Sequence, residues 1–192
     1  MLFRSGEIDE AGLRRNIIKT MGLPGVHGLS VHSIHQEFWT LTSAERKHIV
    51  EIVIETVNGK IPIVVGCSDT SARNVLDYAR HAEQAGADLV MVWPPFYGPR
   101  TPEGVLDFYA SIATQMDIGM VAYSTTLSEL GYYLSPEQVE KMLHLENFCA
   151  VQNTTLDLPS YAAMLERVGD QICVTTSLEE RSEEHTSELQ SH

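Results

Sequence analysis

The sequence predicts an α/β fold, namely a truncated TIM-type (βα)8 barrel. Six short apolar runs begin near Gly28, Ile61, Asp88, Gly119, Phe148 and Ile172. They recur roughly every 30 residues, the period of a strand followed by a helix. Polar clusters such as HSIHQE, CSDTS, YSTT and QNTT follow most runs, and in a barrel such strand ends form one active-site rim. No glycine-rich phosphate loop follows any run, which disfavours an open nucleotide-binding sheet.

The segments between the runs carry helix signals. Thr42 and Glu45 have the spacing of a capping box, and Thr101-Pro102 and Ser135-Pro136 place a cap residue before a first-turn proline. Continuous apolar strands separated by helices indicate a parallel sheet covered on both faces.

The length of the predicted units indicates that the barrel is incomplete. A strand stub at Met1 to Phe3 adds a seventh strand, so about strands 1–7 of eight are expected within residues 1–180. Eight units need about 230 residues or more. We therefore expect residues 1–180 to form a partial barrel domain.

The last twelve residues, RSEEHTSELQSH, lack apolar periodicity. They resemble the in-frame translation of a common short-read sequencing adapter. We interpret residues 181–192 as a non-native tail and exclude them from the fold.

Composition excludes several classes of protein. The chain of 192 residues is 43% hydrophobic, has only 13 Lys and Arg, and carries a formal net charge of -13. Nucleic-acid binding needs clustered cations, so we expect no nucleic-acid partner. No apolar run approaches the ~18 residues of a membrane helix and no signal peptide is evident, so we expect no membrane association and a cytoplasmic location.

Three cysteines, Cys67, Cys149 and Cys173, are far apart and lie in apolar runs. This pattern is typical of reduced thiols buried in a core and not of a disulfide framework or a zinc site.

Three segments carry a family resemblance: GVHGLSVHSIHQEFWTLTSAER, ARHAEQAGADLVMVWPPFYGPRTPEG and VAYSTTLSELGYYLSPEQV. They resemble the dihydrodipicolinate synthase and N-acetylneuraminate lyase family of class I aldolases, over about Gly6 to Ser177. The resemblance implies a (βα)8 barrel that forms a homodimer or homotetramer. It also implies a lyase that acts on 2-oxo acids such as pyruvate through a lysine Schiff base, without a cofactor.

The loop after the family's second strand, Gly-Thr-Thr-Gly-Glu, binds the substrate carboxylate and relays a proton. It aligns here with Ser33, Ile34, His35, Gln36 and Glu37. Only the glutamate is retained. The resemblance makes Ser33, Ile34 and Glu37 candidate substrate-binding residues, and it places His35 at the substrate-facing position as a candidate catalytic residue.

Two tyrosines match functional positions of the family. Tyr123 aligns with the relay tyrosine of the fifth strand, and Tyr97 aligns with the tyrosine that a dimer partner inserts into the neighbouring site. The family's Gly-Arg-Thr-Gly segment, whose arginine attracts carboxylates, falls in TTLSELG, which contains no arginine.

The imine-forming lysine of the sixth strand aligns with Gln152, which is followed by Asn153, Thr154 and Thr155. The remaining lysines lie in predicted helices or before the third strand; they are Lys19, Lys47, Lys60 and Lys141. A glutamine amide nitrogen is not nucleophilic, so imine chemistry at Gln152 is excluded. Asn153, Thr154 and Thr155 are candidate neutral donors to a ligand carboxylate or oxyanion.

We therefore expect a lyase-like protein that acts on or binds a small carbonyl or carboxylate compound without a lysine imine. Three alternatives stay open. His32, His35 and Glu37 could serve an enzyme that uses a metal or acid–base chemistry. The barrel could bind a ligand without catalysis, or a lysine could come from the missing eighth unit.

Overall fold

The computed structural model describes residues 3–4, 7–33, 36–126 and 131–177. The chain divides into two compact units. The first unit comprises Met1–Val92 and Gln115–Gly119, and the second comprises Trp93–Thr114 and Met120–His192.

The first unit alternates strands and helices. Its elements are β1 (Phe3–Arg4), β2 (Glu7–Ile8), α1 (Glu10–Met21), β3 (Leu29–Val31), a 3-10 turn (Phe38–Thr40), α2 (Ser43–Val57), β4 (Ile63–Gly66), α3 (Ala72–Ala85) and β5 (Leu89–Val92). Strand β3 pairs parallel with β4, and β4 pairs parallel with β5. The buried strand residues Val31, Ile63, Val65 and Val90 belong to the hydrophobic core.

The predicted capping box at the start of α2 is confirmed. The Thr42 hydroxyl accepts a hydrogen bond from the Glu45 backbone N–H at 3.3 Å, and the Glu45 carboxylate accepts one from the Thr42 N–H at 2.8 Å. This reciprocal pairing satisfies two donors that the first helical turn would otherwise leave unpaired.

The second unit continues the alternation. Its elements are α4 (Pro102–Ala113), β6 (Gly119–Thr125, whose first residue belongs to the first unit), α5 (Pro136–Met142), β7 (Phe148–Thr154), α6 (Leu158–Val168) and β8 (Cys173–Thr175). Strands β6, β7 and β8 are parallel, in chain order. Thr101 and Ser135 cap α4 and α5 just before their prolines, as predicted.

The predicted fold class is confirmed: the described strands β3 to β8 are the strands expected as the second to seventh of the barrel. The stub expected at Met1 to Phe3 lies partly outside the described residues. Where it is described, at Phe3, it belongs to β1 and pairs antiparallel with β2 in a separate two-stranded sheet. No helix within the described ranges is long and apolar enough to cross a membrane.

The cysteine prediction is right for one residue. Cys67 is buried, and burial raises the pKa of its thiol to about 12. Cys149 and Cys173 are exposed, so their prediction as core residues is wrong. Cys149 is the second residue of β7 and Cys173 is the first residue of β8, and an apolar run does not guarantee burial at the start of a strand.

Candidate functional site

Three side chains occupy paired positions on the parallel strands of the second unit. Tyr123 of β6 pairs with Gln152 of β7, which pairs with Thr175 of β8. Residues that pair in register project from the same face of a sheet. Tyr123, Gln152 and Thr175 therefore form a row near the carboxyl ends of the strands, and we call this row the tyrosine–glutamine row.

Tyr123 is held through its ring and through its backbone. The Trp93 indole stacks on the Tyr123 ring, with ring centroids 4.7 Å apart and an interplanar angle of 13°. Trp93 in turn contacts the ring of Phe96 edge-on, with centroids 6.2 Å apart. The fully buried Tyr109 hydrogen-bonds to the Tyr123 backbone, and its burial raises its pKa well above the ordinary value. Tyr123 is itself only 5% exposed, so its phenol has little freedom to reorient.

Gln152 is half-buried in β7. The chain has four lysines, and none lies at a strand end: Lys19 is in α1, Lys47 in α2 and Lys141 in α5, while Lys60 precedes β4. Lys47 forms an ion pair with Asp77 of α3, with an N–O distance of 2.7 Å. The described structure therefore offers no amine beside the tyrosine–glutamine row.

The polar groups after β6 and β7 largely pair with each other. The Thr126 N–H donates to the Thr154 carbonyl at 3.2 Å, and the Thr154 hydroxyl lies 2.8 Å from the Ser177 hydroxyl. The Thr155 hydroxyl accepts hydrogen bonds from the Thr126 hydroxyl and the Asp157 N–H, both at 3.2 Å. These contacts fix the loop that leads into α6.

Asn153 is a buried amide that stands apart from this network. Its side chain is 0% exposed, and neither its oxygen nor its nitrogen has a hydrogen-bond partner among the described residues. Because side chains alternate along a strand, Asn153 lies on the opposite face of β7 from Gln152, whereas Thr154 shares the face of Gln152. The role of Asn153 and Thr154 in ligand binding stays a prediction.

In the first unit, His32 lies just after β3 with a positive φ of 62°. Its Nε2 is 2.8 Å from the backbone carbonyl of Arg46, so this nitrogen donates its proton there. Burial lowers the pKa of His32 to about 4, and the ring is neutral near pH 7. These contacts favour a structural role for His32 over metal ligation through Nε2.

Arg46 organises the ends of β3 and β4. Its guanidinium donates to the carbonyls of Gly66 at 2.9 Å and Ser68 at 3.0 Å, and it lies 3.9 Å from the Tyr78 ring centroid. The side chain is 4% exposed, and burial lowers its pKa. The sequence analysis does not predict Arg46 as part of the site. A signal was present, because Arg46 lies on the same face of α2 as the apolar residues Ile49, Val50 and Val53.

The loop after β3 is partly described. Ser33 and Gln36 exchange two hydrogen bonds, from the Ser33 N–H to the Gln36 side chain at 3.1 Å and from the Gln36 N–H to the Ser33 carbonyl at 3.0 Å. Glu37 is exposed and has a positive φ of 49°. Ile34 and His35 lie outside the described residues, and the described part of the chain brings no three His, Cys, Asp or Glu side chains together as a metal site.

Tyr97 lies in the segment between β5 and α4 and is 84% exposed. The structure does not bring it to the tyrosine–glutamine row through any described contact. Insertion of Tyr97 into a partner's site stays a prediction.

Parallel strands that alternate with helices define the class: part of a (βα)8 barrel. The chain belongs to the Dihydrodipicolinate synthetase family, whose sequence profile matches residues 2–187. That match runs into the segment predicted as an adapter-derived tail.

The chain is similar to 4-hydroxy-tetrahydrodipicolinate synthases from Methanopyrus kandleri (29% identity over 174 residues) and Pelobacter propionicus (30% over 172 residues). Each alignment covers 90% of this chain, and 57% and 59% of the respective relative. Among solved structures it resembles YagE, a prophage protein of the dihydrodipicolinic acid synthase family from E. coli K12 in complex with pyruvate. That likeness has a TM-score of 0.81 and 25% identity and covers 91% of this chain and 60% of YagE. The chain therefore spans less than two thirds of the length of these relatives.

Proposed function

We propose that the full-length protein containing this chain acts on or binds a small 2-oxo acid or related carbonyl compound at the tyrosine–glutamine row, and that it does so without a lysine imine. One observation carries the proposal: Gln152 pairs with Tyr123 at the position where the family resemblance implies the lysine. YagE is described in complex with pyruvate, which supports a 2-oxo acid as the ligand class.

The chemistry of the row fits reversible recognition of a carbonyl group. A phenol donates a hydrogen bond to a carbonyl oxygen and polarises it, and an amide supplies one acceptor and two donors. An imine requires an amine nucleophile, which Gln152 lacks. If the protein is a catalyst, Tyr123 is its candidate general acid, in a carbon–carbon or carbon–oxygen lyase reaction.

The proposal includes an assembly and a location. Tyr97 exposes 84% of its surface, and an aromatic ring so exposed suits a contact with a second copy. We propose a homodimer or homotetramer in the cytoplasm.

The test is a calorimetric titration of the full-length protein with pyruvate, 2-oxobutyrate and 2-oxoglutarate. We expect at least one to bind and to be recovered unchanged after dialysis. Tyr123→Phe removes one hydrogen bond to the ligand and should weaken binding by roughly tenfold. Tyr133→Phe, which changes a half-buried tyrosine whose hydroxyl donates to the Ser160 carbonyl, is the matched control and should leave affinity within about twofold. Absence of binding to all three acids would contradict the proposal.

A further inference from the structure

Asn153 of β7 carries a buried amide that has no hydrogen-bond partner in the described part of the chain. Its side chain is 0% exposed, and both Oδ1 and Nδ2 are unpaired there. Taking an amide out of water without a new hydrogen bond is unfavourable, so buried amides in native proteins bind protein groups or ordered water. Asn153 therefore needs a partner other than the described protein groups.

The neighbour of Asn153 on β6 also has unused hydrogen-bonding capacity. Ser124 pairs with Asn153 in the parallel register and is 0% exposed. Its Oγ accepts a hydrogen bond from the Leu134 N–H at 2.9 Å, so the hydroxyl proton is left to donate elsewhere. No described residue accepts that proton. Two polar groups with unmet hydrogen bonds thus lie on adjacent strands.

The spacing of the two side chains leaves room for a bridge of one small molecule. Paired residues project from the same face of a sheet, and neighbouring strands lie about 4.8 Å apart. Ser124 and Asn153 are therefore close, yet they form no direct hydrogen bond. Polar groups separated by somewhat more than a hydrogen bond are commonly joined by one water molecule.

The pair lies on the opposite face of the sheet from the tyrosine–glutamine row, because side chains alternate along a strand. The hydrogen bond from the Leu134 N–H places this face against the segment that leads into α5. Leu134 is itself 0% exposed. A compound held at the row would thus be separated from Asn153 by the sheet.

The chemistry of the unmet groups defines what binds. Asn153 Oδ1 needs a donor, whereas Asn153 Nδ2 and the Ser124 hydroxyl need an acceptor. A metal cation offers no acceptor and a simple anion offers no donor. A water molecule offers both, and buried waters typically make about three hydrogen bonds.

We propose that one water molecule binds between Asn153 and Ser124 and joins β6 to β7 behind the tyrosine–glutamine row. The inference goes beyond the proposed function and does not depend on it. It assigns Asn153 to a structural hydration site on the helix-facing side of the sheet.

The first test is a crystal structure of the full-length protein at a resolution that shows ordered waters, with and without pyruvate. We expect a water at about 3 Å from both the Asn153 amide and the Ser124 hydroxyl in both crystals. A direct hydrogen bond between Asn153 and Ser124 would overturn the proposal. Pyruvate in contact with Asn153 would overturn it as well and would support the predicted ligand-binding role of this residue.

The second test is urea denaturation of Asn153→Leu, which has a side chain of similar size without the amide. Loss of the bridge leaves the Ser124 proton unpaired, so the equilibrium constant for unfolding should rise about tenfold. Unchanged or increased stability would overturn the proposal, because an amide that binds nothing is replaced by leucine at no cost.

Ser124→Ala provides the matched background. The bridge is already broken in this variant, so Asn153→Leu should raise the unfolding constant by a smaller factor there than in the unaltered protein. Equal factors in the two backgrounds would show that Asn153 and Ser124 share no water and would overturn the proposal. If Asn153→Leu fails to fold, the crystal structure of the unaltered protein decides the question.

Discussion

Arg46 joins the ends of two strands through groups on three elements. Its guanidinium binds the carbonyls of Gly66 and Ser68, it lies over the Tyr78 ring, and its own carbonyl accepts the proton of His32. A Cβ at Gly66 would lie 2.2 Å from the His32 carbonyl oxygen, so the two strand ends approach so closely here that only glycine fits. Arg46 supplies the polar contacts at this close approach.

We predict that Arg46→Met lowers the free energy of unfolding by about 2 to 4 kcal/mol, because two buried carbonyls lose their donor at about 1–3 kcal/mol each. Urea denaturation of the full-length protein measures it. Arg73→Met, which alters an exposed arginine in the first turn of α3, should change stability by less than about 0.5 kcal/mol. Equal losses in the two variants would show that the Arg46 contacts contribute no net stability.

His32 makes stability depend on pH. Its pKa falls from 6.5 to about 4 in the folded chain because of burial, so the unfolded chain binds the proton more readily. The stabilisation is complete above pH 6.5 and is lost as pH falls from 6.5 towards 4. Between pH 6.5 and pH 4 the free energy of unfolding therefore falls by on the order of a few kcal/mol.

The measurement is urea denaturation at several pH values between 7 and 4.5. His32→Gln retains an N–H donor without a titrating group, so its stability should fall less over this range than that of the unaltered protein. Parallel pH curves for the two proteins would count against the neutral, buried state of His32.

At the scale of elements, helices α1, α2 and α3 are linked by ion pairs on their exposed faces. His48 of α2 contacts Glu10 of α1 at 2.8 Å and Glu51 at 3.6 Å, and Glu51 also contacts His81 of α3 at 3.0 Å. The hydrogen bond to Glu10 raises the pKa of His48. The contacts with His81 and His48 lower the pKa of Glu51.

We predict that the His48–Glu10 pair stabilises the packing of α1 on α2 below pH 6.5, and that this contribution is lost as pH rises through the raised pKa of His48. The two side chains are about half exposed, so the pair contributes only a few tenths of a kcal/mol to the free energy of unfolding. His48→Gln should lower the melting temperature slightly at pH 5.5 and not at pH 8.5. A larger loss of melting temperature at pH 8.5 than at pH 5.5 would contradict this pH dependence.

Local features of the elements were predictable from sequence, and long-range contacts were not. The Thr42–Glu45 capping box depends on residues three apart, so the sequence pattern suffices. The stack of Trp93, which follows β5, on Tyr123 of β6 joins residues that are far apart in the chain, and apolar periodicity carries no information on such a pairing. Arg46 of α2 is buried although its residue type predicts exposure, because the carbonyls that bind it come from the end of β4 and the segment after it.

The row itself was partly predictable. Family resemblance identified Tyr123 and Gln152, and the observed register pairs them directly.

At the scale of the whole molecule, the chain spans 57–60% of the length of the relatives compared above. Among the described residues, β3 pairs with β4 alone and β8 pairs with β7 alone. A strand with one open side is a template for pairing with another chain.

We therefore predict that a protein of residues 1–180 self-associates, as measured by light scattering after size-exclusion chromatography. The full-length reading frame, recovered from adapter-free reads, is the control and should give one defined oligomer. A monomeric, cooperatively unfolding product of residues 1–180 would contradict this prediction. The same reads test the proposal that residues 181–192 derive from a sequencing adapter.

The central claim is that this protein forms no imine with a 2-oxo acid, because Gln152 stands at the position of the family's lysine. The most direct test is to treat the full-length protein with pyruvate and sodium borohydride and to measure its intact mass. Borohydride reduces an imine to a stable amine, so a family member with the lysine, treated in parallel, should gain the mass of a reduced pyruvyl group. The account predicts an unchanged mass for this protein. A pyruvyl-sized mass increase would contradict the account.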